Sequence, residues 1–168
     1  MKIKYYAGIG SRKTPSNVLD RIRNYSRELG ELGYHLNTGD AIGADAAFIR
    51  GTTLAGSPKT ILKSNDALPW SFIEVQRHLP SDRRGFENWK PFIKGLVARD
   101  MMQVLGTNGD EPVEFVLCYT PTTEYSCSLS GGTGYAIRCA LAYDIPVYNL
   151  FIQEDEEKFI KERLNRLL

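Results

Sequence analysis

Two glycine-rich segments, far apart in the chain, hold the residues best suited to grip an anion. The first is Gly8-Ile9-Gly10-Ser11-Arg12, directly after an apolar run. The second is Ser130-Gly131-Gly132-Thr133-Gly134, directly before a helical pattern. Backbone N–H groups at a helix start, with no side chain in the way, favour phosphate. In the first segment Gly8 and Gly10 let the backbone approach a ligand, Ser11 adds a hydroxyl, and Arg12 adds a fork-shaped cation suited to phosphate. In the second, successive glycines with the hydroxyls of Ser130 and Thr133 make a phosphate nest. Against these stand plainer readings: a tight turn with a solvated Arg12, and a glycine loop with no ligand. The sequence favours binding in both places and points to a nucleotide or nucleic-acid phosphate.

Other candidates lie between the two segments. Thr38-Gly39-Asp40 and Gly43-Ala44-Asp45 form a turn and a helix start. Asp45 there contacts a ribose or base, or only offsets the helix dipole; Asp40 is an alternative cap. Arg99-Asp100 interrupts an apolar helix pattern, either as a structural ion pair or as a pair pointing into a crevice. Glu124, Asp40 and Asp45 are the candidate acids, bases or nucleophiles for any catalysis. Arg83-Arg84 is too short for a nucleic-acid patch. Trp70 and Trp89 either stack a base or pack in the core.

Some chemistry is disfavoured. Lys13 stands where a dinucleotide fingerprint needs its last glycine, so NAD is not expected, and no other cofactor is implied. The chain has only two histidines, His35 and His78, so no metal site is expected. Cys118, Cys127 and Cys139 lack Cys-x-x-Cys spacing and read as reduced thiols.

The elements that must position these groups alternate between strand and helix. Strands are expected at Ile3 to Gly8, Tyr34 to Thr38, Lys59 to Leu62, Val113 to Cys118 and Pro146 to Leu150. Val18, Ile22, Tyr25, Leu29 and Leu32 mark one helical face, with Pro15 at its first position and Thr14 or Ser16 as its cap. Helices follow at Ala44 to Ala55, from Pro91 (with Phe92, Leu96, Val97, Met101, Val104 and Leu105 buried), at Gly132 to Tyr143 and at Asp155 to Leu168. Residues 63 to 90 read as irregular. Right-handed crossovers then give a single α/β domain over residues 1–168: a Rossmann-like, doubly wound, mostly parallel sheet of five strands in order 3-2-1-4-5. The switch point falls between strands one and four, beside both glycine segments. The formal net charge of +1 provides no overall field for DNA or a membrane. No signal peptide or membrane-length apolar run is present, so a cytoplasmic location is expected.

Several segments together resemble a known superfamily. Gly8-Ile9-Gly10-Ser11-Arg12, Thr38-Gly39-Asp40-Ala41-Ile42-Gly43-Ala44-Asp45-Ala46-Ala47, Ser130-Gly131-Gly132-Thr133-Gly134-Tyr135-Ala136-Ile137 and Ile145-Pro146-Val147-Tyr148 look like the core of the DNA-processing protein A family (DprA/Smf). Ala98-Arg99-Asp100 looks like its R-N-R element. The wider group is the SLOG superfamily, which also holds the LONELY GUY phosphoribohydrolases. The opening Tyr6-Ala7-Gly8-Ile9-Gly10-Ser11-Arg12-Lys13-Thr14-Pro15 resembles a small stand-alone branch typical of phage genomes. The chain departs from these patterns at Phe48, where the family has a histidine, and no winged-helix module is expected. Of the phosphoribohydrolase signature, Ser130 replaces proline, Tyr135 stands at a threonine and Arg138 at the catalytic glutamate.

The resemblance implies a binding protein for a nucleotide or nucleotide-derived molecule, either handling single-stranded DNA in recombination or sequestering a signalling nucleotide. It also implies self-association, for which the apolar side of the last helix (Phe159, Ile160, Leu164, Leu167, Leu168) is a candidate surface, packing on the sheet being the equal alternative. The rival reading is a nucleotide N-glycosidase.

Overall fold

The structure, a computed structural model, describes residues 1–79, 85–123 and 132–165. Five strands run β1 Lys4–Gly10, β2 Tyr34–Gly39, β3 Lys59–Leu62, β4 Phe115–Tyr119 and β5 Val147–Asn149. Six helices run α1 Ser16–Glu31, α2 Ala44–Leu54, α3 Pro69–Arg77, α4 Pro91–Leu105, α5 Gly132–Ala142 and α6 Gln153–Arg163. All four strand pairings are parallel, and the sheet order is β3-β2-β1-β4-β5. This is the doubly wound α/β fold expected from the alternation of elements, with every pairing parallel.

Parallel strands need crossovers, and the crossovers cover both faces of the sheet. β4 is accordingly buried along its whole length. One face packs under α1, α2 and α6, with Tyr6, Phe48, Phe115, Tyr148 and Phe159 filling it. The other packs under α3, α4 and α5, around Ala7, Val97, Met101, Val116 and Ala136.

The local differences from the sequence reading have simple causes. Pro15 caps α1 from outside, and no side chain bonds that helix end. Thr14 instead donates its hydroxyl to Ser11 O at 2.6 Å. Val18, Ile22, Tyr25 and Leu29 are buried as expected, but Leu32 follows the helix and is exposed. The segment read as irregular contains α3, whose buried face is Ser71, Glu74 and Val75. A face that is two-thirds polar does not register as an apolar period. Phe92 is exposed in the first turn of α4, while Arg99, Asp100 and Gln103 are buried further along. Phe159 and Leu164 face the sheet and are buried, so that side of α6 packs inward; Leu167 and Leu168 lie outside the described residues. Among the described residues, no helix is long and apolar enough to cross a membrane.

Candidate functional site

The helices after β1 and β4 leave toward opposite faces of the sheet, which opens a crevice at the carboxyl ends of these neighbouring strands. A cavity of about 510 Å³ occupies it. Gly10, Ser11 and Arg12 form one side, Gly132 and Thr133 the other. Asp45, Arg99, Asp100 and Gln103 contribute polar lining, and Trp89 and Tyr135 an aromatic wall.

The turn after β1 is pinned from two directions. Ser11 N donates to Tyr119 O at 3.1 Å, and Ala44 N donates to Ser11 O at 3.3 Å. A side chain at Gly10 would meet Ala44 Cβ at 2.7 Å, so glycine lets β1 touch α2. Gly43 has φ +83°, and a Cβ there would sit 2.7 Å from the carbonyls of Ser11 and Arg12. Arg12 is exposed at the rim, while the Ser11 hydroxyl accepts from Lys13 N at 3.1 Å.

Not every predicted residue reaches the cavity. A Cβ at Gly8 would lie 2.6 Å from the Phe48 ring, on the opposite face of the sheet, so Gly8 serves packing. Thr38 is fully buried and donates to Gly8 O at 2.6 Å, which ties β2 to β1. Gly134 is buried within α5. Glu124, Ser130 and Gly131 lie outside the described residues, as do Arg83, Arg84 and Cys127. Trp70 donates to Thr107 O at 3.1 Å and packs on Gly109, away from the crevice. Trp89 meets Phe86 and Tyr135 edge to face, with ring centres 5.1 and 6.1 Å apart.

Beneath the glycine turns lies a charged cluster around Arg99, which is 5% exposed. Its Nη1 donates to Asp40 Oδ1 at 2.7 Å and to Leu62 O. Its Nε stands 3.8 Å from Asp100 Oδ1. Asp45 also neighbours the guanidinium and accepts from Ala41 N at 3.3 Å. Gly39 makes room for all of this: a Cβ there would fall 2.5 Å from Arg99 Nη1 and 2.6 Å from Asp45 Oδ2. Gly132 does the same for Asp100, whose Oδ2 would be 2.4 Å from its Cβ.

Burial dominates the acidity of these carboxyls. It raises Asp45 to about 6 and Asp100 to about 8, with Arg99 opposing in both cases, the Asp40 charge adding to the rise at Asp45 and the Asp45 charge to that at Asp100. Burial therefore favours the neutral form of the Asp100 carboxyl. Burial also pushes the Cys118 and Cys139 thiols far up, which leaves neither as a ready nucleophile.

The residue that sequence reasoning missed is Gln103. It is 1% exposed, and among the described residues neither its amide nitrogen nor its amide oxygen has a hydrogen-bond partner; Arg99 Nε, 3.8 Å from Asp100 Oδ1, has no hydrogen bond there either. Its main-chain carbonyl accepts from Asn37 Nδ2 at 3.2 Å. The available signal was Arg99-x-x-x-Gln103, two polar groups one turn apart on one face of an apolar helix.

The fold and crevice define a doubly wound α/β protein with a candidate binding site at its switch point. Among solved structures the chain is similar to the molybdenum cofactor carrier protein of Chlamydomonas reinhardtii, at 16% identity and TM-score 0.53, covering 95% of this chain and 84% of that one. It is also similar to DNA processing protein A of Streptococcus pneumoniae, at 14% identity and TM-score 0.46, covering 96% of this chain and 62% of that one. Likeness at these identities is likeness of fold. No protein-family description and no curated protein sequence matches the chain.

Proposed function

We propose that the crevice binds a phosphate-bearing, nucleotide-type molecule. The observation that carries this reading is a set of buried polar atoms without a hydrogen bond among the described residues, Arg99 Nε and the Gln103 amide, on residues lining a cavity of about 510 Å³ at the switch point. A buried polar group without a partner costs about 1–3 kcal/mol, which a ligand or ordered water recovers. Ligand pockets span about 300–1,000 Å³, so the volume suits a mononucleotide. The phosphate sits at the Gly10-Ser11 turn and the start of α5, with Arg12 at the rim. Candidate ligand contacts also include Thr133, Asp45 and Arg99. Thr38, Gly39, Asp40 and Gly43 support the site by holding the cluster and the turn.

A thermal-shift and calorimetric panel tests this, with nucleoside mono- and diphosphates, cyclic nucleotides, ADP-ribose and a short single-stranded DNA. Ligand that binds only the native state raises the melting temperature by mass action. The expected result is a shift with a small nucleotide that Gly132→Val abolishes. A response to DNA alone, falling steeply with salt, would replace the small-ligand reading with a nucleic-acid one. No response to any member would overturn both.

A second reading rests on the two cavity-lining carboxyls. A protonated Asp100 at neutral pH is a proton source for a departing base, and an ionised Asp45 could orient a water toward the ribose C1′. The N-glycosidic bond would break, the base would leave with the Asp100 proton, and the water would add to the sugar as its own proton passes to the Asp45 carboxylate. Release of free base from a nucleotide, lost in Asp100→Asn, is the expected outcome. Its absence with every nucleotide that binds would leave the protein a binder.

A further inference from the structure

Away from the crevice, α3 meets α5 at three side chains with metal-binding chemistry. Glu74 lies on α3 and His78 caps it four residues later, with each side chain 7% exposed. Cys139 is fully buried on α5, one turn beyond Tyr135. One donor atom from each, an oxygen, a nitrogen and a sulfur, lies within 4.8 Å of the other two. We propose that Glu74, His78 and Cys139 bind a divalent transition-metal ion of the zinc class, which clamps α3 to α5.

The geometry suits such an ion. Residues four apart on a helix share a face, so Glu74 and His78 present donors in one direction. His78 Nε2 is already 3.0 Å from Glu74 Oε1. Metal–nitrogen and metal–oxygen bonds of about 2.0–2.2 Å and a metal–sulfur bond of about 2.3 Å put tetrahedral donors roughly 3.3–3.8 Å apart. Closing the widest gap takes about an ångström of side-chain adjustment. The donor set also discriminates. Calcium and magnesium take oxygen ligands, whereas mixed imidazole, thiolate and carboxylate favours zinc.

The surrounding groups orient the carboxylate. Tyr143 donates its hydroxyl to Glu74 Oε1 at 2.7 Å, and Arg77 Nη1 donates to Glu74 Oε2 at 3.1 Å. Such outer partners fix first ligands in place. Binding releases the thiol proton of Cys139 to solvent, and His78 ligates as the neutral imidazole. The thiolate and carboxylate then balance the two positive charges. Three protein donors leave a fourth position for water. Because α5 begins with Gly132 and Thr133 in the cavity wall, the ion would also hold that wall.

The test is titration of the chelator-treated full chain with cobalt(II), followed by absorption. The expected result is uptake of one equivalent, with a thiolate charge-transfer band and the visible bands of a four-coordinate ion, all displaced by zinc. Cys139→Ser removes the charge-transfer band, and Cys118→Ala, at a second buried thiol, retains it. His78→Asn and Tyr143→Phe each weaken binding about tenfold or more. Far-ultraviolet circular dichroism without metal establishes that each variant is folded; if Cys139→Ser is not, His78→Asn decides. No uptake by the wild-type chain at about tenfold excess of metal, or a spectrum unchanged in both His78→Asn and Cys139→Ser, would overturn the site.

Discussion

The two faces of the sheet bury polar groups in opposite ways. Under α1, α2 and α6 the polar atoms close on one another. Ser26 Oγ lies 2.9 Å from Tyr6 OH and 2.8 Å from Thr52 Oγ1, and it donates to Phe48 O at 2.7 Å. Around that network the rings interlock: Tyr6 stacks on Phe115 with centres 5.5 Å apart, and Phe115 meets Tyr148 edge-on at 5.7 Å. Under α3, α4 and α5 the network stays open among the described residues, where the Gln103 amide and Arg99 Nε have no hydrogen bond beside a cavity. Closed polar networks specify a unique packing, whereas open ones raise the free energy of the empty site. One face closes its polar groups on one another; the other is the face on which the proposed binding site rests.

Mutations should separate the two faces. The largest effect belongs to the closed face: Phe48→Ala is expected to cost about 3–5 kcal/mol in denaturant unfolding, since it empties the space under Gly8. The next contrast is pH. Asp100 is raised from 3.8 to about 8 and Asp45 to about 6, so the folded chain holds more protons than the unfolded one between those values. Stability contributed by these groups is complete below 3.8, falls as pH rises, and is gone above about 8. Asp100→Asn should flatten that slope; an unchanged slope would mean that the open face is better solvated than its geometry says.

Ser26→Ala comes third, at about 1–3 kcal/mol, because it orphans buried partners. Gln103→Met, similar in shape, should change stability by less than about 1 kcal/mol or raise it, because it removes two unpartnered atoms. A costly Gln103→Met would erase the contrast between the faces. The smallest stability effect is Arg12→Ala, within about 0.5 kcal/mol at an exposed position. In the proposed site it removes one charge-assisted contact and should weaken nucleotide binding about tenfold.

Much of this was legible in advance. The alternation of elements and the handedness of crossovers point to a doubly wound parallel sheet, whose expected order 3-2-1-4-5 the structure shows, and glycines at strand ends mark where the chain must turn closely. Those signals are local and periodic. Gly8 shows their limit: its pattern suggests a ligand, but the space beside it belongs to Phe48, a residue from another crossover. Glu74 and Gln103 show the same limit from the other side. A buried polar residue breaks the periodicity that identifies helices, so the reading passes over the positions where chemistry gathers.

The sequence by itself determined the fold class, the place of the crevice and two of its walls, because these follow from hydrophobic period, turn chemistry and chirality. Only the tertiary structure decided that Arg99 reaches Asp40 across the sheet edge, that Asp100 abuts Gly132, and that Cys139 meets His78. Each of those contacts joins residues from separate crossovers. Their distances are set by how helices seat on a twisted sheet, which no local spacing encodes.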